Sequence, residues 1–276
     1  MKPKRDSATQ PVYLPLNQVT ASALDTTIQS LRNLATTALF TLHIDVRCGI
    51  ILMLTKTMAG PEPHSIRTSV PSTPTPDLNV NWWHIVLNEP TAASSTILQL
   101  NSDLIAFDTG VSSYLGPEDR WFMTSGLARF IDRVFVSCTR YIGAMNANGA
   151  LRLRLDVLVL QQNLKNIVID PTAQEPDEVV ALLRSAKFLE WFLDGAEKAL
   201  DYAREEKELF TKDSQEALAL GIDEPFTYDE LKELVELCFS ETLRGPRADN
   251  REDFMAAKKA SADAMLRLNE IMWDSK

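Results

Sequence analysis

The chain has 276 residues, 45% of them hydrophobic, which is enough to bury a large core as one extended domain or two compact ones. Its formal charge of −10 sits in the last third: residues 1–170 hold 14 Lys and Arg against 13 Asp and Glu, and residues 171–276 hold 14 against 25. Such a surface repels nucleic acid and anionic lipid on average, so no nucleic-acid partner is expected.

Cys48, Cys138 and Cys238 lie far apart with no C-x-x-C pair, so neither a disulfide framework nor a zinc module is indicated, and a reducing, cytoplasmic setting fits. The first 18 residues are basic and polar, without the apolar region of a secretory signal, and are expected to be a disordered segment (1–18) ahead of a helical-bundle domain (19–276). The most apolar run, Gly49 to Leu54, is far shorter than the ~20 residues that cross a bilayer, so no membrane span is expected.

From Val19 to Met58, Leu24, Ile28, Leu31, Ala35, Ala38 and Leu42 recur at helical spacing, and Val46, Ile50 and Met53 continue the face. That predicts one long helix, with Gly49 its sole breaker. Pro61, Pro63, Pro71, Pro74, Pro76 and Pro90 then predict a Pro-rich loop over 60–93, in which Trp82 and Trp83 are expected to anchor the loop to the helices.

A second helix is expected over Ser94–Leu115, started by a Ser cap, and Gly116-Pro117-Glu118-Asp119 supplies the stop and the next start. The third places Leu127, Ile131, Val134, Cys138, Tyr141 and Met145 on one stripe, with Asn148-Gly149 as the following turn. A fourth, Ala150–Ile169, has two adjoining apolar faces, Leu153, Val157, Leu160, Leu164 and Ile167 on one and Leu151, Leu155 and Leu158 on the other, and should be central.

Asp170-Pro171 ends that helix, and a more acidic helical part follows over 171–276. Thr172-x-x-Glu175 and Thr227-x-x-Glu230 match capping boxes. Between them Val179, Leu182, Ala186, Leu189, Leu193, Ala196, Leu200 and Ala203 form an unbroken stripe, and a final helix is expected over Asn250–Trp273. The fold class is therefore all-α: an elongated bundle of about seven mostly antiparallel helices.

Little points to chemistry. His43, His64 and His84 have no second ligand at metal spacing, and none of the nucleotide-loop, zinc-protease or nucleophile-elbow motifs occurs. No catalytic, cofactor-binding or metal-ligating residue is singled out, and no enzyme or cofactor is expected. Glu205, Glu206 and Glu208 with Lys207 read as a solvated face. Gln161, Gln162 and Asn163 fan over ~200° of a helix, so they cannot converge on one small substrate. One or two of them can hydrogen-bond to a neighbouring helix, and an inward-facing member must find a partner.

The stretch L-Q-Q-N-L-K-N-I, Leu160 to Ile167, resembles the C-terminal region of the exocyst complex component 4 family. L-H-I-D-V-R at Leu42–Arg47, L-N-S-D-L at Leu100–Leu104 and Ser125-Gly126-Leu127 are similar to it in the same order. The resemblance covers about Leu34 to Ile169, and more loosely the rest. It implies a rod-like, non-enzymatic subunit of a vesicle-tethering complex that holds secretory vesicles at the plasma membrane before fusion. The implied partners are other exocyst subunits and, through the assembled complex, small GTPases or SNAREs, with peripheral association at plasma membrane and vesicles. Family members are several times longer, so the chain looks like a C-terminal fragment lacking the coiled-coil assembly helices, and Asp274-Ser275-Lys276 lacks the PDZ-type end of animal relatives. A helical adaptor or a subunit of a different vesicle-tethering complex is the alternative, with an all-α enzyme behind both. Residues that would bind a partner are not assigned.

Overall fold

The computed structural model describes residues 17–60, 83–85, 90–167, 182–212, 224–245 and 250–273. Among these the protein is all-α: α1 (Gln18–Ala59), α2 (Ser95–Ser112), α3 (Pro117–Thr124), α4 (Leu127–Cys138), a 3-10 turn (Thr139–Tyr141), α5 (Ala147–Ile167), α6 (Leu183–Asp194), α7 (Ala196–Lys212), α8 (Tyr228–Cys238), α9 (Ser240–Arg244) and α10 (Arg251–Trp273). The one extended pairing among the described residues is an isolated bridge between Trp83 and Met145.

Two compact units divide the chain, residues 1–45 and 46–276. In the first, Asn17 caps α1, its Oδ1 accepting the Thr20 N–H at 2.9 Å. Leu24, Ile28, Leu31, Leu34, Phe40 and Ile44 are exposed there. By length and composition alone α1 is apolar enough to cross a bilayer, a test that the core helix of a soluble protein or a signal sequence also passes. Leucine, isoleucine, valine and phenylalanine spaced along the second half of the helix raise the average without making one continuous greasy run.

In the second unit Ile50, Leu54 and Met58 of α1 join one core with Leu100 and Leu104 of α2, Ile131 and Phe135 of α4, and Leu153, Val157, Leu160, Leu164 and Ile167 of α5. That α5 face is the expected one. α5 packs on both α2 and α6, α6 in turn on α4, α7 and α8, and α10 closes against α7, α8 and α9. The adjoining apolar face of α5 is only partly covered: Leu151 and Leu155 are half-buried and Leu158 is exposed.

Three expected elements are interrupted, each by backbone geometry that a spacing pattern does not register. Pro117–Thr124 is a helix of its own, started by Gly116 and Pro117 as read from the sequence, and Gly126, at φ 68°, separates it from α4. α4 ends at Cys138 and leaves Tyr141 exposed. Asn148-Gly149 is not a turn but lies in the first turn of α5, because Asn146 caps that helix: its Oδ1 accepts the Gly149 N–H at 2.9 Å. The long stripe of the acidic part is split at Gly195, φ 92°, between α6 and α7, and Leu193 is thereby turned outward. The expected start at Thr172, the end at Asp170-Pro171 and residues 1–16 of the segment expected to be disordered lie outside the described residues, as do His64 and Trp82, whereas Asn17 and Gln18 of that segment cap and begin α1.

Trp83 does anchor its segment. It is fully buried, and its indole N–H donates to the Met58 carbonyl at 2.9 Å, answering an acceptor left free at the end of α1. Gly149 lies against it, where a Cβ would stand 1.9 Å from the Trp83 carbonyl oxygen. Cys138 is core, as expected, while Cys48 is exposed and Cys238 half-buried. All three are free thiols, and burial pushes the Cys238 thiol up to about 12.

Candidate functional site: buried carboxylates and the amide-lined face of α5

Two helices begin on carboxylates that belong to other helices. Ser94 occupies the N-cap position of α2, but its hydroxyl does not bond its own helix. Its N–H donates to Asp156 Oδ1 and its hydroxyl to Asp156 Oδ2, both at 2.6 Å, and Asp156 is on α5. Asp156 thus fills the part that a glutamate three residues on would play in a capping box. Thr227 and Glu230 make that local box for α8, as the sequence predicts: the Thr227 N–H donates to Glu230 Oε2 at 2.8 Å, and the Glu230 N–H donates to Thr227 Oγ1 at 3.3 Å.

α6 repeats the device with Asp132 of α4. The Arg184 N–H donates to Asp132 Oδ2 at 3.0 Å and the Ser185 N–H to Oδ1 at 2.7 Å, and the Ser185 hydroxyl also donates to Oδ1. Leu182, the residue before α6, is buried with φ 61°, a left-handed conformation that a branched side chain rarely adopts. Asp132 and Asp156 are both buried, and burial pushes both carboxyls up against the opposing pull of their serine donors, Asp156 to about 6.

Other charges in the interior are paired. Arg184 bonds Glu230 through its guanidinium, donates to the Glu224 and Pro225 carbonyls at 2.6 and 3.2 Å, and lies 4.3 Å from the centre of the Phe226 ring. Glu206 corrects the reading of a wholly solvated acid face: it is buried, its carboxylate 3.3 Å from Lys187 Nζ, whereas Glu205 and Glu208 are exposed. Its position three residues past Ala203 puts it on the buried stripe of α7. Burial raises its carboxyl, and Lys187 works against that rise. His84 is buried with Nε2 3.2 Å from Glu241 Oε1, and Arg47 donates to the Ser125 carbonyl at 3.0 Å. His43 is half-buried on α1.

No group of three or more His, Cys, Asp or Glu that could hold a metal is found among the described residues. The acids that are buried cap helices or meet a cation, which is how a packed bundle uses a carboxylate.

The Gln161-Gln162-Asn163 trio divides as its helical spread requires. Asn163 faces inward and donates from Nδ2 to the Asn101 carbonyl of α2 at 3.2 Å, while Gln161 is half-buried and Gln162 exposed. Asp156 with Ser94 and Asn163 with Asn101 are both 62 residues apart, so α2 and α5 run side by side in the same direction. Between them lies an open groove of about 510 Å³. Asn101, Gln162, Asn163 and Asn166 form a belt of amides on it, with Leu158 and Ile105 among its apolar walls. Sequence reasoning gave the amides but expected Leu158 on an apolar face of a central helix, and it did not give their meeting with Asn101 and Ile105.

The described helices are stitched by buried hydrogen bonds around a filled core, with an amide-lined groove on one face. No family model matches the chain. It is 34% identical over 289 residues to "Probable exocyst complex component sec8" of Neurospora crassa, covering 96% of this chain and 23% of that protein. It is 37% identical to exocyst complex component 4 of Dictyostelium discoideum over 81 residues, 29% of this chain and 7% of that one. To the human exocyst complex component 4 it is 22% identical over 84% of this chain and 19% of that protein. The chain is a homologue of exocyst complex components, and it spans about a quarter of the length of the Neurospora relative.

Proposed function

We propose that the chain is the C-terminal helical region of a sec8-type exocyst subunit, the protein also called component 4, and that it serves as a non-enzymatic scaffold in tethering secretory vesicles to the plasma membrane before fusion. The observation that carries this reading is similarity to such a component along 96% of the chain. The interior agrees with it: the buried acids Asp132 and Asp156 are spent on starting helices. Its partners are the other exocyst subunits, and through them small GTPases and SNAREs. Its place is the cytoplasmic side of the plasma membrane at sites of secretion, held there peripherally through the complex.

The test is affinity purification of the tagged full-length protein under mild conditions, with imaging of the same fusion. Recovery of the remaining exocyst subunits and concentration at growing or secreting cell surface are the expected results. Recovery of a Golgi or endosomal tether with internal-membrane localisation would assign the chain to that class instead.

A further inference from the structure

We propose that the groove between α2 and α5 binds an extended, uncharged peptide segment of a partner chain through that segment's main chain. The inference rests on the reading of this protein as an assembly subunit and names the chemistry of one contact.

Three observations carry it. Charge is the first: none of the residues lining the groove bears one, so a charged side chain laid there would lose hydration with nothing opposite it. The second is an orphan. Asn101 lines the groove, and its side-chain Oδ1 is buried without a hydrogen-bond partner among the described residues. Such an atom has given up its hydration on burial and is destabilising unless something answers it. On the same belt Gln162 is exposed and its side chain makes no hydrogen bond among the described residues. Carboxamides both donate and accept, and so does a peptide main chain, which alternates N–H and C=O.

The third is spacing. With α2 and α5 in parallel register, 62 residues apart at both Ser94–Asp156 and Asn101–Asn163, Ile105 is level with residue 167 of α5. Exposed Leu158 and exposed Ile105 then flank the amide belt nine residues apart along the axis, about 13–14 Å at ~1.5 Å per residue. An extended chain covers that distance in about four residues at ~3.3 Å each, and side chains four apart in a strand point the same way. The groove therefore suits apolar side chains at positions i and i+4 of an extended segment, with the amides between them bonding its backbone.

The experiment is selection of a phage-displayed random twelve-residue library on the purified full chain, in parallel with the Leu158→Asp and Gln162→Ala/Asn166→Ala variants. All three altered positions are exposed, so the helices should stay intact by circular dichroism. Expected are enriched peptides with apolar residues four apart and no charge between them, losing tenfold or more in affinity to either variant and on N-methylation of a central backbone amide. Enrichment equal on the wild type and both variants, affinity indifferent to N-methylation, or selection of amphipathic-helix patterns would overturn the proposal. So would dimerisation of the chain that Leu158→Asp abolishes, since the groove would then belong to a second copy, and so would absence of any enriched peptide, which leaves the belt to water. Purification of sister subunits is read separately: their loss from the unaltered protein sinks the exocyst reading, while peptide selection decides the groove.

Discussion

Asp132 and Ser185, 53 residues apart, meet at one atom: the serine's N–H and its hydroxyl both donate to the same carboxylate oxygen, Oδ1. One α4 side chain therefore sets where α6 starts and fixes α6 against α4. Asp132→Ala should leave the buried N–H of Ser185, and that of Arg184 beside it, without an acceptor. A loss of about 2–4 kcal/mol is expected, since each unsatisfied buried donor costs ~1–3 kcal/mol and a lost cap about 1. Urea unfolding followed by far-UV circular dichroism measures it. Asp132→Asn, which keeps one acceptor oxygen, should recover part of the loss.

Asp156 makes stability depend on pH in a defined direction. Burial lifts its carboxyl in the folded protein to about 6, above the ~3.9 of an unfolded aspartate. Between those values the folded state holds a proton that the unfolded state has released. The contribution is therefore fully present below pH ~4 and lost as pH rises through about 6, amounting to roughly 3 kcal/mol at ~1.4 kcal/mol per unit. Asp132 and Glu206, also raised by burial, add slopes of the same sign. The test is thus a difference: urea midpoints of wild type and Asp156→Asn from pH 4 to 7 should converge at the acid end in slope and diverge across the window, the variant being flatter. Parallel curves would show that the carboxyl titrates as it does unfolded.

Two glycines should respond oppositely to alanine. At Gly149 the added methyl meets the Trp83 carbonyl oxygen at 1.9 Å, so the Trp83 segment must move, at about 1–3 kcal/mol for an overpacked contact. The indole bond to Met58 should weaken with it, seen as a change in tryptophan emission. At Gly49 nothing lies within 4 Å, and alanine should stabilise α1 by up to ~1 kcal/mol. A thermal melt of each variant is sufficient.

Glu230 behaves as the opposite of Asp156. Burial would raise its carboxyl, but hydrogen bonds from Arg184 and Thr227 outweigh it and hold the group below the usual range. Its contribution is present above the unfolded carboxylate value and lost as pH falls through the folded one. Thr227→Ala should cost about 1 kcal/mol at neutral pH as a lost cap. Glu230→Gln should cost more, because it also leaves Arg184 without its anionic partner, and its deficit should shrink on acidification below pH ~4, where the wild-type acid is itself becoming neutral.

Most of the helical faces were legible because burial repeats with the helix. Leu153, Val157, Leu160, Leu164 and Ile167 are all in the core, and Thr227 with Glu230 gave the start of α8. What escaped was of two kinds. Gly126 and Gly195 break helices while the apolar spacing passes across them, since spacing records distance along the chain and not the sign of φ. Asp132 and Asp156 cap helices 53 and 62 residues away, and no local pattern can pair them with Ser185 and Ser94. Glu206 was within reach of the sequence: three residues beyond Ala203, it continues a stripe already read as buried. The groove needed the register of α2 on α5, which depends on those same distant bonds.

The borrowed start of α2 also orders events during synthesis. Ser94 leaves the ribosome 62 residues ahead of the aspartate that holds it, so α2 is made before the group that fixes its first turn exists. Its 18 residues are only slightly longer than the ~12–15 at which a lone helix is marginal in water. A nascent chain stalled before Asp156 should therefore carry this segment frayed and protease-sensitive, and its release from that state should coincide with the emergence of α5.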